Sequence, residues 1–132
     1  MKRVAEVIAK CSYREFKPVS AQVVAAAEQA LGISFPDELK QYLLTFGALA
    51  VGSLAFYGLG VKEKSPRHIV KATEELRAEG LEHDAVALEY REDNYYTICR
   101  RDGTIVEWSP TYKKVNVLAA GLEDYLVARI EE

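Results

Sequence analysis

The chain has 132 residues, 49% of them hydrophobic and 28% charged, with four prolines and a net charge of −3. That balance describes one globular domain able to bury roughly two thirds of its unfolded surface, and it excludes a disordered or low-complexity chain. Two cysteines, Cys11 and Cys99, form no C-x-x-C pair and are too few for a disulfide framework or a cysteine-built zinc site.

Met1 to Lys10 reads as a short helix with Val4, Val7 and Ile8 on one face, part of an N-terminal helical extension over residues 1–19. Glu6 and Lys10 interrupt it before an apolar signal core can form, so no leader is expected. The longest uncharged run, Gln41 to Val61, carries four glycines, and no membrane span is expected there. The expected location is the cytoplasm, with both thiols reduced. After an irregular segment through Pro18, Ser20 is a plausible N-cap for a helix to Leu31, in which Val24, Ala27 and Leu31 share a face and Ala25 to Ala27 permit close packing. Gly32 supplies a left-handed stop and Pro36 a first helical turn. A second helix therefore runs from Pro36 to Phe46, with Leu39, Tyr42, Leu43 and Phe46 as its apolar stripe and Gly47 as its end.

Beyond Gly47 the period flattens, and one strand is expected around Val51 to Leu59, weakened at Gly52 and Gly58. Ser65-Pro66 marks the start of a third helix, carried by Ile69, Thr73 and Leu76 up to Gly80. Strands follow at Ala85 to Tyr90, Tyr95 to Arg100 and Thr104 to Ser109. The first two are joined by a Glu92-Asp93-Asn94 turn, and the next pair by a two-residue Asp102-Gly103 loop of type I′. That loop predicts Cys99 opposite Val106, Ile98 opposite Glu107 and Thr97 opposite Trp108. A strand at Val115 to Leu118 and a helix from Leu122, striped by Tyr125, Leu126 and Ile130, close the chain. The order implies an α+β fold of one domain over residues 1–132. An antiparallel β-sheet meander is packed with an N-terminal helix pair, a middle helix and a C-terminal helix.

Charge is unevenly placed. From Glu74 to Asp93 eight acidic residues stand against Arg77 and Arg91, a local −6 that leaves +3 elsewhere. No basic face for nucleic acid results, and direct nucleic-acid binding is not expected; a basic protein partner is. Catalysis has little to stand on. His68 and His83 lack a third ligand at useful spacing, so neither metal nor cofactor is expected. Cys99 fits a small buried strand residue better than a nucleophile. Glu74-Glu75 and Glu123-Asp124 diverge by about 100° on their helices and cannot converge as an acid–base pair. Ser65 at a helix start, with Lys62, Lys64, Arg67 and Lys71 nearby, is a candidate anion site. Tyr90, Tyr95, Tyr96, Trp108 and Tyr112 are sheet residues first, and any that face solvent could anchor a partner.

Glu28, Leu31-Gly32, Phe35-Pro36, Tyr42-Leu43-Leu44 and Gly47, followed by Gly58-Leu59, Val106-Glu107-Trp108 and Leu122-Glu123-Asp124-Tyr125-Leu126, resemble the SUKH superfamily from about Ser20 to the C-terminus. Phe46 departs from the pattern, since many members carry a polar residue before that glycine. The superfamily includes fungal cell-wall-synthesis regulators of the Smi/Knr type and bacterial immunity proteins. The resemblance implies a noncatalytic binding domain, in the bacterial case one that neutralises a cognate polymorphic toxin of nuclease or deaminase type. On that reading the partner-binding residues are Glu89, Glu92, Asp93, Tyr95, Glu107 and Trp108, with Glu107 beside Trp108 as the leading pair. The alternatives are a regulatory scaffold for cell-wall or signalling proteins and a small anion- or ligand-binding module.

Overall fold

A computed structural model describes residues 1–113 and 115–132. Five helices, α1 (Lys2–Ile8), α2 (Ala21–Leu31), α3 (Asp37–Phe46), α4 (Ile69–Arg77) and α5 (Leu122–Glu131), surround two antiparallel sheets. The smaller sheet has the order β1 (Arg14–Glu15), β2 (Ala50–Val51), β3 (Leu54–Ala55), and the larger runs β4 (Val86–Tyr90), β5 (Tyr96–Cys99), β6 (Ile105–Trp108), β7 (Val115–Ala119). The α+β reading holds.

The helix pair forms where the sequence places it. Ser20 Oγ accepts from Val23 N, and Gly32 stops α2 in the left-handed region at φ 71°. Glu28 closes the break, its Oε2 accepting from Phe35 N at 2.7 Å with the Lys40 ammonium 3.6 Å away. The glutamate ahead of Leu31-Gly32 thus clamps the connection that the two helices share.

Two regions differ from expectation. The single strand expected over Val51 to Leu59 is a turn between two short strands, because Gly52 at φ 59° reverses the chain; Gly52 N also donates to Tyr13 O, at the end of a strand the sequence does not advertise. The third helix begins at Ile69 and not at Ser65. Residues 63–67 form turns, with His68 N donating to Ser65 O, and Gly58 N donates to Arg67 O and Ile69 N to Gly58 O, which holds His68 extended and delays the helix.

The hairpin between β5 and β6 is also shifted. Its loop has three residues, with Arg100 N donating to Thr104 O, Gly103 N to Arg100 O, and Gly103 at φ 91°. Cys99 therefore pairs with Ile105, Ile98 with Val106, Thr97 with Glu107 and Tyr96 with Trp108. A loop of this kind ends on a glycine bulge, and the slip of one residue moves each β6 side chain to the other face relative to the expected pairing. Both central residues with positive φ, the hallmark of type I′, sit instead at Asp93 (55°) and Asn94 (64°), where Tyr95 N donates to Glu92 O.

The larger sheet is covered on both sides over β4 to β6, whereas β7 is exposed along most of its length. Val86, Leu88, Cys99 and Ile105 join the main core formed with α1, α2, α3 and α5. Ala87, Ile98, Val106 and Trp108 pack under Ala72 and Leu76 of α4. The N-terminal helix is built into the main core rather than appended to it, through buried Val4 and Ile8 and its packing against α5. Cys99 is buried, and burial pushes its thiol up to about 12.

Segment 56–60 crosses the end of α3 at very close range. A Cβ on Gly58 would stand 1.9 Å from Gly47 O, and one on Gly47 1.8 Å from Lys17 O. Both contacts are with backbone, which has no rotamer by which to yield. Gly58→Ala should therefore lower stability by about 3 kcal/mol or more in chemical denaturation. A loss within about 0.5 kcal/mol would show that the crossing tolerates a methyl group.

Candidate protein-interaction face

Cross-strand pairing sorts neighbouring residues of the larger sheet into two rows on opposite faces. One row runs Glu89, Thr97, Glu107, Asn116, and the next runs Tyr90, Tyr96, Trp108, Val115, each residue in register with the one before it. Because strand side chains alternate, the first row turns toward α5 and the second toward the α4 side.

The polar row is buried at Glu89 and Thr97 and opens through Glu107 to the exposed Asn116. Glu89, 2% exposed, accepts from Tyr125 OH at 2.5 Å and from the Arg129 guanidinium at 3.1 to 3.3 Å. Tyr125 has one proton and gives it to the carboxylate, so Thr97 Oγ1, 2.8 Å away, donates to the phenol oxygen, as does Arg91 Nη1 at 2.9 Å. Burial first, and then the charge of Glu89, push the Tyr125 phenol well up. Burial opposes the Arg129 charge, but the hydrogen bonds and charge of Glu89 outweigh it and raise that pKa. Arg91 continues the network, its Nε 3.5 Å from Glu107 Oε2, and Asn116 Nδ2 donates to Glu107 Oε1 at 3.3 Å.

The aromatic row is partly open. The Tyr90 and Tyr96 rings meet edge to face, with centroids 5.1 Å apart, and Tyr90 is 49% exposed. Trp108 is 8% exposed; the Lys113 ammonium stands 5.7 Å from its ring centroid and donates to Glu79 O at 2.9 Å. Tyr57 joins the row from outside the sheet: its N donates to Leu88 O, and its ring packs with Tyr96 against the cluster beneath α4. Glu75 and Glu79 are exposed beside this row, and Glu74 is exposed on the groove between α2 and α4. Burial, then Tyr96 and Glu75, push the Tyr57 phenol up to about 12; burial, then Glu79, raise that of Tyr96.

The expected partner-binding residues are thus divided. Glu92 and Asp93 are exposed on the β4–β5 turn, and half-buried Tyr95 stacks on Tyr112 at 5.5 Å. Glu89 is withdrawn into the fold, where its carboxylate is spent on Tyr125 and Arg129. Glu107 and Trp108 form no joint surface, since adjacent strand residues face opposite ways. Of the other acids in the Glu74 to Asp93 stretch, Glu82 pairs with Arg100 at 3.1 Å and Asp84 with Arg101 at 4.0 Å. Tyr57 escaped sequence reasoning, because only the close crossing at Gly58 brings it to the sheet. Glu89 had a local signal: it lies in the otherwise apolar run Ala85 to Tyr90.

The anion site does not assemble. Ser65 lies ahead of α4 and accepts from Arg67 N; the Arg67 guanidinium turns inward to Phe56 O, and Lys71 Nζ donates to Lys64 O. Ala26, Ala27 and Ala30 line a groove of about 500 Å³ between α2 and α4, with His68 on its wall, where burial lowers the imidazole pKa. Among the described residues no three His, Cys, Asp or Glu side chains gather as metal ligands, and no helix is long and apolar enough to cross a membrane.

The SUKH_5 family model, described as SMI1-KNR4 cell-wall, matches residues 1–131. A crystal structure of a protein from Pseudomonas syringae pv. tomato superposes with a TM-score of 0.75 at 18% identity, covering 99% of this chain and 98% of that one, a likeness of fold. No curated protein matches the chain.

Two outcomes follow from the rows. Arg129→Ala strands a buried carboxylate and should cost about 3 kcal/mol in denaturation, whereas Glu89→Leu with Arg129→Met should recover much of it; equal losses would mean that the pair itself stabilises the fold. In the second, the folded state holds the Tyr57 proton more tightly than the unfolded chain, which releases it near pH 10. Its contribution is therefore complete below pH 10 and lost as pH rises toward about 12. A melting-temperature profile over that window should fall less steeply for Tyr57→Phe than for the parent protein, and identical slopes would contradict the assignment.

Proposed function

We propose, because this chain belongs to the SUKH_5 family of the SUKH superfamily, that it is a noncatalytic binding domain of the immunity type. It would neutralise a cognate toxin domain, of nuclease or deaminase class, by direct contact in the cytoplasm of the producing cell. The observation that carries this reading is the division of the acidic stretch. Glu82, Asp84 and Glu89 are neutralised by arginines of the same chain, whereas Glu74, Glu75, Glu79, Glu92 and Asp93 are exposed and make no ion pair among the described residues.

Exposed carboxylates left without internal partners create a negative field. A nuclease surface that holds phosphate is basic, and such a field accelerates encounter with it while excluding acidic partners. Tyr90 and Tyr96 lie between the helix acids and the turn acids and supply rigid contact area with little conformational entropy to lose.

Where a toxin domain is encoded beside this gene, coexpression of the two should restore growth. Rescue is absent if the protein is instead a scaffold for a cell-wall or signalling protein. With the purified pair, replacing Glu75, Glu79, Glu92 and Asp93 by lysine should slow association by about tenfold or more at low salt, and the difference should shrink as salt rises. The melting temperature should stay within a few degrees, since none of the four side chains is hydrogen-bonded or ion-paired among the described residues and only Asp93, in the left-handed turn position, exchanges a favoured residue for a less favoured one. An unchanged association rate would remove this face from the interface.

A further inference from the structure

We infer that Tyr57, Tyr90 and Tyr96, bordered by Glu75 and Glu79, form a receptor for an arginine side chain presented by the protein partner. The inference rests on the protein-binding reading above and names the chemistry that the face recognises.

The row supplies its own precedent. At Trp108 one aromatic face is already occupied by a cation: the Lys113 ammonium, 5.7 Å from the ring centroid, anchored on Glu79 O. That distance is within the range at which a ring quadrupole attracts positive charge. Tyr96 is the next residue in register on the same face and Tyr90 the one after it, so the π surface continues past the point where the chain's own cation ends. Tyr90 and Tyr96 meet edge to face at 66° and are not closed on each other in a stack, and Tyr90 remains 49% exposed. Tyr57, from the connection between β3 and α4, packs against the same cluster as Tyr96 and so adds a third ring to this side of the sheet.

Electrostatics select the ligand. Glu75 and Glu79 stand one turn apart on the α4 side, Glu75 near Tyr57 and both near Tyr96. An apolar side chain would leave these carboxylates without gain, and an anion would be repelled. A guanidinium is planar, stacks on a tyrosine face and can still donate to a carboxylate in its own plane, a combination that a compact ammonium achieves less well.

The probe is a Gly-Arg-Gly-Arg-Gly peptide, compared with its citrulline counterpart, which keeps the shape and loses the charge. Added to the full chain, the arginine peptide should shift the NMR ring signals of Tyr57, Tyr90 and Tyr96, and the citrulline peptide should leave them in place. Tyr90→Phe with Tyr96→Phe keeps the π faces and should retain the shift at Tyr57. Tyr90→Leu with Tyr96→Leu keeps apolar area alone and should abolish it. Against the toxin domain, the leucine pair should weaken affinity at least tenfold and the phenylalanine pair less than threefold. Equal response to both peptides, or equal losses in the two double variants, would overturn the arginine site. Failure of the parent protein to bind the toxin domain would instead overturn the immunity reading, while the peptide titration would still decide the site.

Discussion

The close crossing of segment 56–60 over the end of α3 is the contact through which the rest of the molecule is joined. Leu59 N donates to Gly47 O, Gly58 pairs with the entry to α4, and Tyr57 N donates to Leu88 O at the edge of the larger sheet. Tyr42, buried in α3, donates from its hydroxyl to Tyr57 O and accepts from Leu49 N, which satisfies two backbone groups that the bend removes from regular pairing. Few residues therefore set the relation of the helix pair, the small sheet, α4 and the larger sheet. The requirement is steric before it is energetic: a side chain at Gly47 or Gly58 would meet backbone.

The same crossing decides what the surface can offer. It sends Tyr57 to the free edge of β4, where it covers hydrogen-bonding groups that would otherwise template pairing with another chain. In that position it also extends the aromatic row. The proposed binding face is thus a consequence of how the fold closes one sheet edge, and it needs no loop of its own.

Local signals written in backbone chemistry were legible in the sequence. Gly32, Pro36 and Gly47 place the helix pair within a residue of where it forms, and the strand runs from Ala85 onward stand where their composition puts them. What failed was decided by single residues acting at a distance. One extra residue in the Arg101-Asp102-Gly103 loop changes the register of β5 and β6 and hence the face on which each β6 side chain lies relative to the expected pairing. Ser65-Pro66 carries a helix-start signal, but pairing of His68 with Gly58 delays the helix, and no local pattern reveals a partner ten residues upstream. The charge of the Glu74 to Asp93 stretch was legible as a sum and not as a distribution, because whether a carboxylate is free depends on Arg100, Arg101 and Arg129 in other elements.

That distribution bears on how such a domain could exchange partners without losing its fold. Glu89 sits one residue from Tyr90, yet the pleat commits the first to a buried network under α5 and the second to solvent on the α4 side. Changes in the aromatic row or on the outer face of α4 do not touch Arg129 or Tyr125, and changes in the network do not alter what the outer face presents. Sites sharing no side-chain partner vary nearly independently in stability. A binding face laid out as one row of a sheet, with the structural charges confined to the adjacent row, can therefore be rewritten residue by residue while the interior remains satisfied.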